Sequence, residues 1–285
     1  MIKDLRSRVV ESIVIASIVS VLVFFANHFI IKYLVAGFVA ILASISIWEY
    51  DQFVKAKNAR PILSALIFLT IFQIVSYFFA AQYEAVRSMP VVVFFLGLLM
   101  LIAFHFRKFD GAIVDLAVSF FGFIYIAVPM GMILGILYSS VYGFHEDGRW
   151  WLAYLLVVTK MTDIGAYIGG NLLGKRKLAP HISPQKTIEG SIFGFICALL
   201  ASFLFYLISI DPTNQFQLGS YEWILLGLII GVTSQFGDLT ESLLKRDANI
   251  KNSNALPGLG GALDALDSLL VNAPIIYFYL QYIKK

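Results

Sequence analysis

The feature that most constrains this chain is an apolar run of about twenty residues that ends and begins again from one terminus to the other. A helix of roughly 20 apolar residues crosses the ~30 Å hydrocarbon layer while satisfying its own backbone hydrogen bonds, which an open-edged strand or irregular segment cannot do. The runs fall near residues 13–26, 29–48, 62–81, 91–106, 113–138, 151–173, 188–210, 224–244 and 262–282. The expectation is an all-α integral membrane protein of about nine transmembrane helices, with no soluble domain. Composition agrees: the 285 residues are 59% hydrophobic and 14% charged, whereas a soluble domain carries roughly 25% charged residues. Disorder requires the opposite balance. The single cysteine, Cys197, lies in an apolar run and excludes a disulfide scaffold. A net charge of +3, scattered along the chain, provides no footprint for nucleic acid. The first run follows Arg6 and Arg8 with no small-residue cleavage site after it, so it reads as a retained span.

Orientation follows from the breaks between runs, because basic residues collect on the cytoplasmic side. One alternating set of breaks holds fifteen basic residues, among them Lys55, Lys57, Arg60, Lys175, Arg176, Lys177, Lys186, Lys245 and Arg246. The other set holds five: Lys32, Arg87, Arg149, Lys284 and Lys285. The amino terminus of this multi-pass chain is therefore expected in the cytoplasm. Nine spans leave Lys284 and Lys285 on the disfavoured side.

Polar residues divide the chain in two. Residues 1–145 are chemically bland, with Glu49 and Asp115 as the acids near span interiors, and read as scaffold helices that could carry a homodimer contact. In residues 146–285, Lys160, Asp163, Glu189, Asp238, Glu241, Asp264 and Asp267 all sit within or at the ends of apolar runs. An unpaired charge at mid-bilayer costs about 3 kcal/mol even on the lenient insertion scale. These residues therefore need partners, water or a metal ion. Salt-bridge glue such as Glu241 with Lys245 is one reading, but acids outnumber bases and the surplus calls for a cation. Asp238 and Glu241 are three apart, as are Asp264 and Asp267, so each pair projects from one helix face. Carboxylate oxygens suit Mg²⁺, which takes one or two of them together with substrate phosphates.

Two loops add to this picture. Gly258, Gly260 and Gly261 precede the last helix, where backbone N–H groups and a helix N-terminus would suit an anion. Pro-Gly and Gly-Gly also mark ordinary turns. The other loop carries Ser183, Lys186, Thr187 and Glu189 after a basic run, and Thr187 is placed to cap the next helix. Basic loops of this kind also arise from the positive-inside rule or from contact with anionic lipid.

Residues 234–246, with Asp238, Glu241, Ser242, Lys245 and Arg246, followed by residues 257–268, with Asp264 and Asp267, resemble the signature of the phosphatidate cytidylyltransferases, or CDP-diacylglycerol synthases. Residues 163–170 and 183–190 look like that family's upstream motifs. The resemblance implies a nucleotidyltransferase of phospholipid biosynthesis that converts CTP and phosphatidate to CDP-diacylglycerol and diphosphate. It further implies Mg²⁺, with room for a second ion, on Asp238, Asp264 and Asp267. Lys245 and Arg246 join those three as catalytic positions. Asp163, Ser183, Lys186, Thr187, Glu189, Ser242, Lys251, Gly258, Gly260 and Gly261 fall at substrate-binding positions, and the site faces the cytoplasm. The sequence departs from the family pattern at Asn252, Leu259 and Ala265, where the family carries Asp, His and Arg. The competing readings are a CTP-dependent lipid-alcohol kinase, a CDP-alcohol phosphotransferase, or a transporter whose buried acids bind cations.

Overall fold

In the computed structural model, residues 17–106, 110–139, 146–211, 213–250 and 261–284 are described. Helix α1 is described over 17–24, so the beginning of the first expected span lies outside the described residues. The helices that follow are α2 (Phe29–Lys55), α3 (Leu63–Ala80), α4 (Met89–His105), α5 (Ala112–Gly122), α6 (Val128–Leu137), α7 (Gly148–Leu173), α8 (Ile188–Ser209), α9 (Glu222–Asp247) and α10 (Ala262–Phe278). With α5 and α6 taken as one span, eight of the described helical segments are long and apolar enough to cross a membrane. The protein is an all-α multi-pass membrane protein, as hydropathy predicts.

Two departures from simple apolar rods have identifiable causes. Helix α2 continues past residue 48 through a polar turn, because Lys55 pairs with Asp51 one turn earlier at 2.6 Å and the Tyr50 hydroxyl donates to the Val118 carbonyl at 2.8 Å. Between α5 and α6 the ladder widens to a π turn over Phe123–Ala127. Pro129 lies just beyond it, and a proline offers no N–H to the carbonyl four residues back, so the hydrogen bonds re-register.

Apolar lipid gives helices little reason to associate, so membrane helices pack through small residues and polar contacts. Helices α7 and α8 make the most extensive pairing in the bundle, followed by α8 with α9 and α9 with α10. On α8, a Cβ at Gly194 would stand 2.7 Å from the Thr162 carbonyl oxygen of α7. On α9, a Cβ at Gly237 would stand 2.6 Å from the Asp267 carbonyl oxygen of α10. Only glycine permits these approaches, and the second brings the acid-bearing faces of α9 and α10 together.

At the opposite end of the bundle, Trp151, Tyr154 and the loop residue Phe216 are fully buried, with Trp151 and Phe216 rings 4.8 Å apart. Lys284 lies here, 3.1 Å from Glu146 and with its ammonium 4.8 Å over the Trp151 ring. The carboxyl-terminal end therefore sits beside the start of α7. Lys284, a charge that the loop count disfavours on this side, has an anionic and an aromatic partner there.

The basic loop between α7 and α8 contains an antiparallel hairpin of β1 (Lys177–Ala179) and β2 (Ser183–Thr187). Lys177 faces Thr187 and Ala179 faces Ser183, with an irregularity between. The Ile182 N–H donates back to the Ala179 carbonyl at 3.2 Å, closing a turn with Pro180 at the position where its fixed φ suits it. Short, polar strands leave little alternation to read. Glu189 secures them from outside by accepting the Lys175 and Arg176 N–H groups at 3.0 and 3.1 Å.

Candidate active site

The antiparallel approach of α9 and α10 collects the acids. Glu241 on α9 and Asp264 and Asp267 on α10 each offer a carboxylate oxygen within 4.8 Å of the other two. Lys245, one turn after Glu241, places its ammonium 2.6 Å from Glu241 and 2.8 Å from Asp264. Glu241 is 1% exposed and Asp267 5%. One ammonium among three carboxylates leaves a surplus of negative charge in a low-dielectric setting, where uncompensated charge is strongly unfavourable. Three carboxylate oxygens this close are donors that could hold a hard divalent cation.

Around this cluster the polar contacts are extensive. Lys186, carried by β2, meets Asp238 of α9 at 2.7 Å. Asp163 of α7 lies 3.3 Å from the Lys160 ammonium and 3.4 Å from the Ser268 hydroxyl. Ser268 donates to the Ser234 carbonyl at 3.0 Å, and its N–H reaches Asp267 Oδ1 at 2.5 Å. Deeper in the bundle, the Asn272 side-chain amide donates to Thr159 at 3.0 Å and Ser234 at 2.8 Å, while Thr233 donates to its carbonyl at 2.5 Å. These buried bonds fix the rotation of α10 against α7 and α9.

The amino-terminal half also reaches the site. Glu49 of α2, 2% exposed, accepts the N–H groups of Ala262 and Leu263 at 2.8 Å each, one per carboxylate oxygen. This corrects the sequence-based expectation that the start of the last helix is open to an anion. Two of its first-turn N–H groups already hold a carboxylate, because Glu49 is at hand to fill the site that a helix N-terminus offers.

The structure sorts the expected residues. Asp264, Asp267 and Lys245 converge. Asp238 lies outside the tight carboxylate cluster and pairs with Lys186, while Glu241 takes the third place. Arg246 turns to the hairpin, its Nε donating to the Ile182 carbonyl at 3.1 Å. Thr187 is the N-cap of α8, accepting from the Gly190 N–H at 3.1 Å, and Glu189 braces the loop before it. Ser183 stands on β2 and Ser242 on α9, both half-buried. Gly261 is buried as the extended N-cap residue of α10. Lys251, Asn252, Gly258, Leu259 and Gly260 lie outside the described residues. Ala265 is exposed, and its carbonyl accepts from Lys160 at 3.2 Å.

Sequence reasoning passed over Glu49 and Lys160 as site residues, and it paired Glu241 with Asp238 as a possible ligand pair while the resemblance assigned the metal to Asp238, Asp264 and Asp267. Each had a signal: a lone charge inside an apolar run, or the three-residue spacing from Asp238. Ser268 had only its place at the end of the signature segment, and Asn272 had no signal, since polar residues of this kind are tolerated anywhere in a span.

A polytopic helical bundle that gathers carboxylates and ammonium groups at the end bearing its basic loops belongs to the class of membrane proteins built to handle charged groups within the bilayer. More narrowly, the chain belongs to the Cytidylyltransferase family, which it matches over residues 7–283. It is 36% identical over 291 residues to a phosphatidate cytidylyltransferase of Chlamydia pneumoniae, covering 97% of this chain and 92% of that one. With the phosphatidate cytidylyltransferase of Haemophilus influenzae it shares 32% identity over 96% of this chain and 98% of the relative. With that of Bacillus subtilis it shares 33% over 84% and 86% respectively.

Proposed function

We infer that this protein is a nucleotidyltransferase that joins CTP to phosphatidate, giving CDP-diacylglycerol and diphosphate. The observation that carries the reading is the Glu241–Asp264–Asp267 cluster with Lys245 bridging Glu241 and Asp264, in a chain similar throughout to phosphatidate cytidylyltransferases. In the reaction a phosphate oxygen of phosphatidate forms a bond to the α-phosphorus of CTP. The bond from that phosphorus to the bridging oxygen breaks, and diphosphate leaves with the electron pair.

Both substrates are anions, so their meeting depends on charge neutralisation and alignment more than on covalent help from the protein. Glu241, Asp264 and Asp267, with Asp238 beside them, would hold Mg²⁺, which when bound supplies positive charge to the triphosphate. Lys245 and Lys186 present ammonium groups that now face carboxylates and can exchange them for phosphate oxygens. The hairpin holds Lys186 over α9, and Arg246 braces the hairpin turn. The buried Asn272–Ser234–Thr159 contacts keep the two acid-bearing helices in register while the substrates change.

The basic loops at this end support a reading in which it faces the cytoplasm of a bacterial cell from the inner membrane, on the side where CTP is supplied. Residues 1–145 serve as scaffold and as the surface for a homodimer, and residues 146–285 carry the chemistry, with Glu49 linking the two. The test is turnover by the purified protein with labelled CTP and phosphatidate, with and without Mg²⁺. Labelled CDP-diacylglycerol and diphosphate, formed only with Mg²⁺, are expected. Formation of CDP and a phosphorylated alcohol, or no consumption of CTP, would overturn the assignment.

A further inference from the structure

Lys160 is unusual among the charged side chains of this bundle. It is the middle residue of α7, about 18 Å along the axis from the helix start at ~1.5 Å per residue. An ammonium at such a depth is unfavourable by roughly 3 kcal/mol on the insertion scale unless its surroundings are polar. Its side chain is nevertheless 46% exposed. The ammonium is turned toward α10, 3.2 Å from the Ala265 carbonyl and 3.3 Å from Asp163. Ala265, the α10 residue it meets, is itself exposed, as is Asp264 before it in the chain. The ammonium therefore stands in an opening between α7 and α10, beside the carboxylate cluster.

Its present partners do not account for it. Asp163 is the less exposed of the pair and has the Ser268 hydroxyl at hand as well. The other acceptor is a neutral backbone carbonyl. An ammonium has three donors, and the two acceptors in place leave one for a ligand. With both partners in place the Lys160 side chain is still 46% exposed, so the protein does not enclose it. The Ala265 carbonyl that Lys160 reaches lies between Asp264 and Asp267 of the acidic cluster in the α10 sequence.

We propose that Lys160 is a substrate-binding residue that contacts a phosphoryl oxygen across the α7–α10 opening. The inference rests on the function proposed above and adds a residue to it. The shared chemistry is a phosphate oxygen, which either the nucleotide or the lipid headgroup could supply.

The experiment uses the full-length protein in detergent micelles, as wild type, Lys160→Met, Lys160→Arg, and Lys160→Met combined with Ala265→Arg. Methionine keeps the apolar stem and removes the charge. The exposed methyl of Ala265 leaves room for arginine to return a cation to the same opening. Binding of labelled CTP and of short-chain phosphatidate is measured directly, beside KM and kcat for each. A lost charge-assisted hydrogen bond corresponds to about tenfold or more in affinity. Lys160→Met is expected to weaken binding and raise KM for one substrate by about that factor, with its thermal midpoint close to wild type. Which substrate responds identifies the source of the phosphate. Lys160→Arg and the double variant are expected to recover most of the loss. Unchanged affinity for both ligands in Lys160→Met overturns the proposal. So does a loss that tracks a fall in thermal midpoint and is recovered by neither cationic variant, since that marks a structural ion pair. Because binding is read without turnover, absence of turnover in the wild type counts against the proposed reaction and leaves the Lys160 comparison intact.

Discussion

Glu49 offers the sharpest test of how the two halves of this protein cooperate. Its carboxylate accepts two N–H groups at the start of α10, at 2.8 Å each and almost wholly buried. Hydrogen bonds to a charged group contribute about 1.5–3 kcal/mol each. Removing both by Glu49→Ala should therefore cost about 3 kcal/mol or more, less whatever water recovers at this end of the helix. Glu49→Gln keeps one acceptor and should lose about half. The functional effect follows from position: Asp264 is the third residue of α10 and moves with its first turn. A displacement near 1 Å at a reacting centre can cost about 100-fold in rate. The assay is initial rate against Mg²⁺ concentration, beside thermal unfolding in detergent. Both variants should need more Mg²⁺ for half-maximal rate and should unfold earlier, with alanine the more severe. The Mg²⁺ requirement separates positioning from mere destabilisation. Wild-type Mg²⁺ dependence and thermal midpoint in Glu49→Ala would refute the argument that this carboxylate sets the start of α10.

Other expectations follow from single contacts. Asp267→Asn keeps the side-chain volume and one acceptor for the Ser268 N–H, so turnover should fall at least about 100-fold in a protein that still unfolds cooperatively; undiminished turnover would remove Asp267 from the ligand set. Gly194→Val would drive a side chain into the Thr162 carbonyl of α7, and overpacking of this kind costs about 1–3 kcal/mol, read as a lower thermal midpoint and reduced folded yield. Lys284→Ala removes an ion pair and a ring contact at the far end of the last span, some 30 Å of helix from Ala262. It should lower thermal stability slightly and leave KM and kcat unchanged, and a changed kcat would indicate that the two ends communicate.

Much of this architecture is local information. Each apolar run must cross the bilayer as a helix because its backbone has no other way to satisfy its hydrogen bonds, so the spans could be placed within a few residues. The pairing of Glu241 with Lys245 and the shared face of Asp264 and Asp267 follow from helical spacing alone. Thr187 was legible as a cap for the same reason. Which acids meet across helices is a different matter. Asp238 and Glu241 project from one face of α9, and only the rotation fixed by the Gly237 approach decides that Glu241 joins the cluster while Asp238 turns to Lys186. Glu49 lies 213 residues before the helix it caps, and Lys160 lies 105 residues before the carbonyl it reaches. Lipid exerts little pull between helices, so rotation and depth are settled by close contact and buried polar bonds between distant segments, which no window of sequence contains.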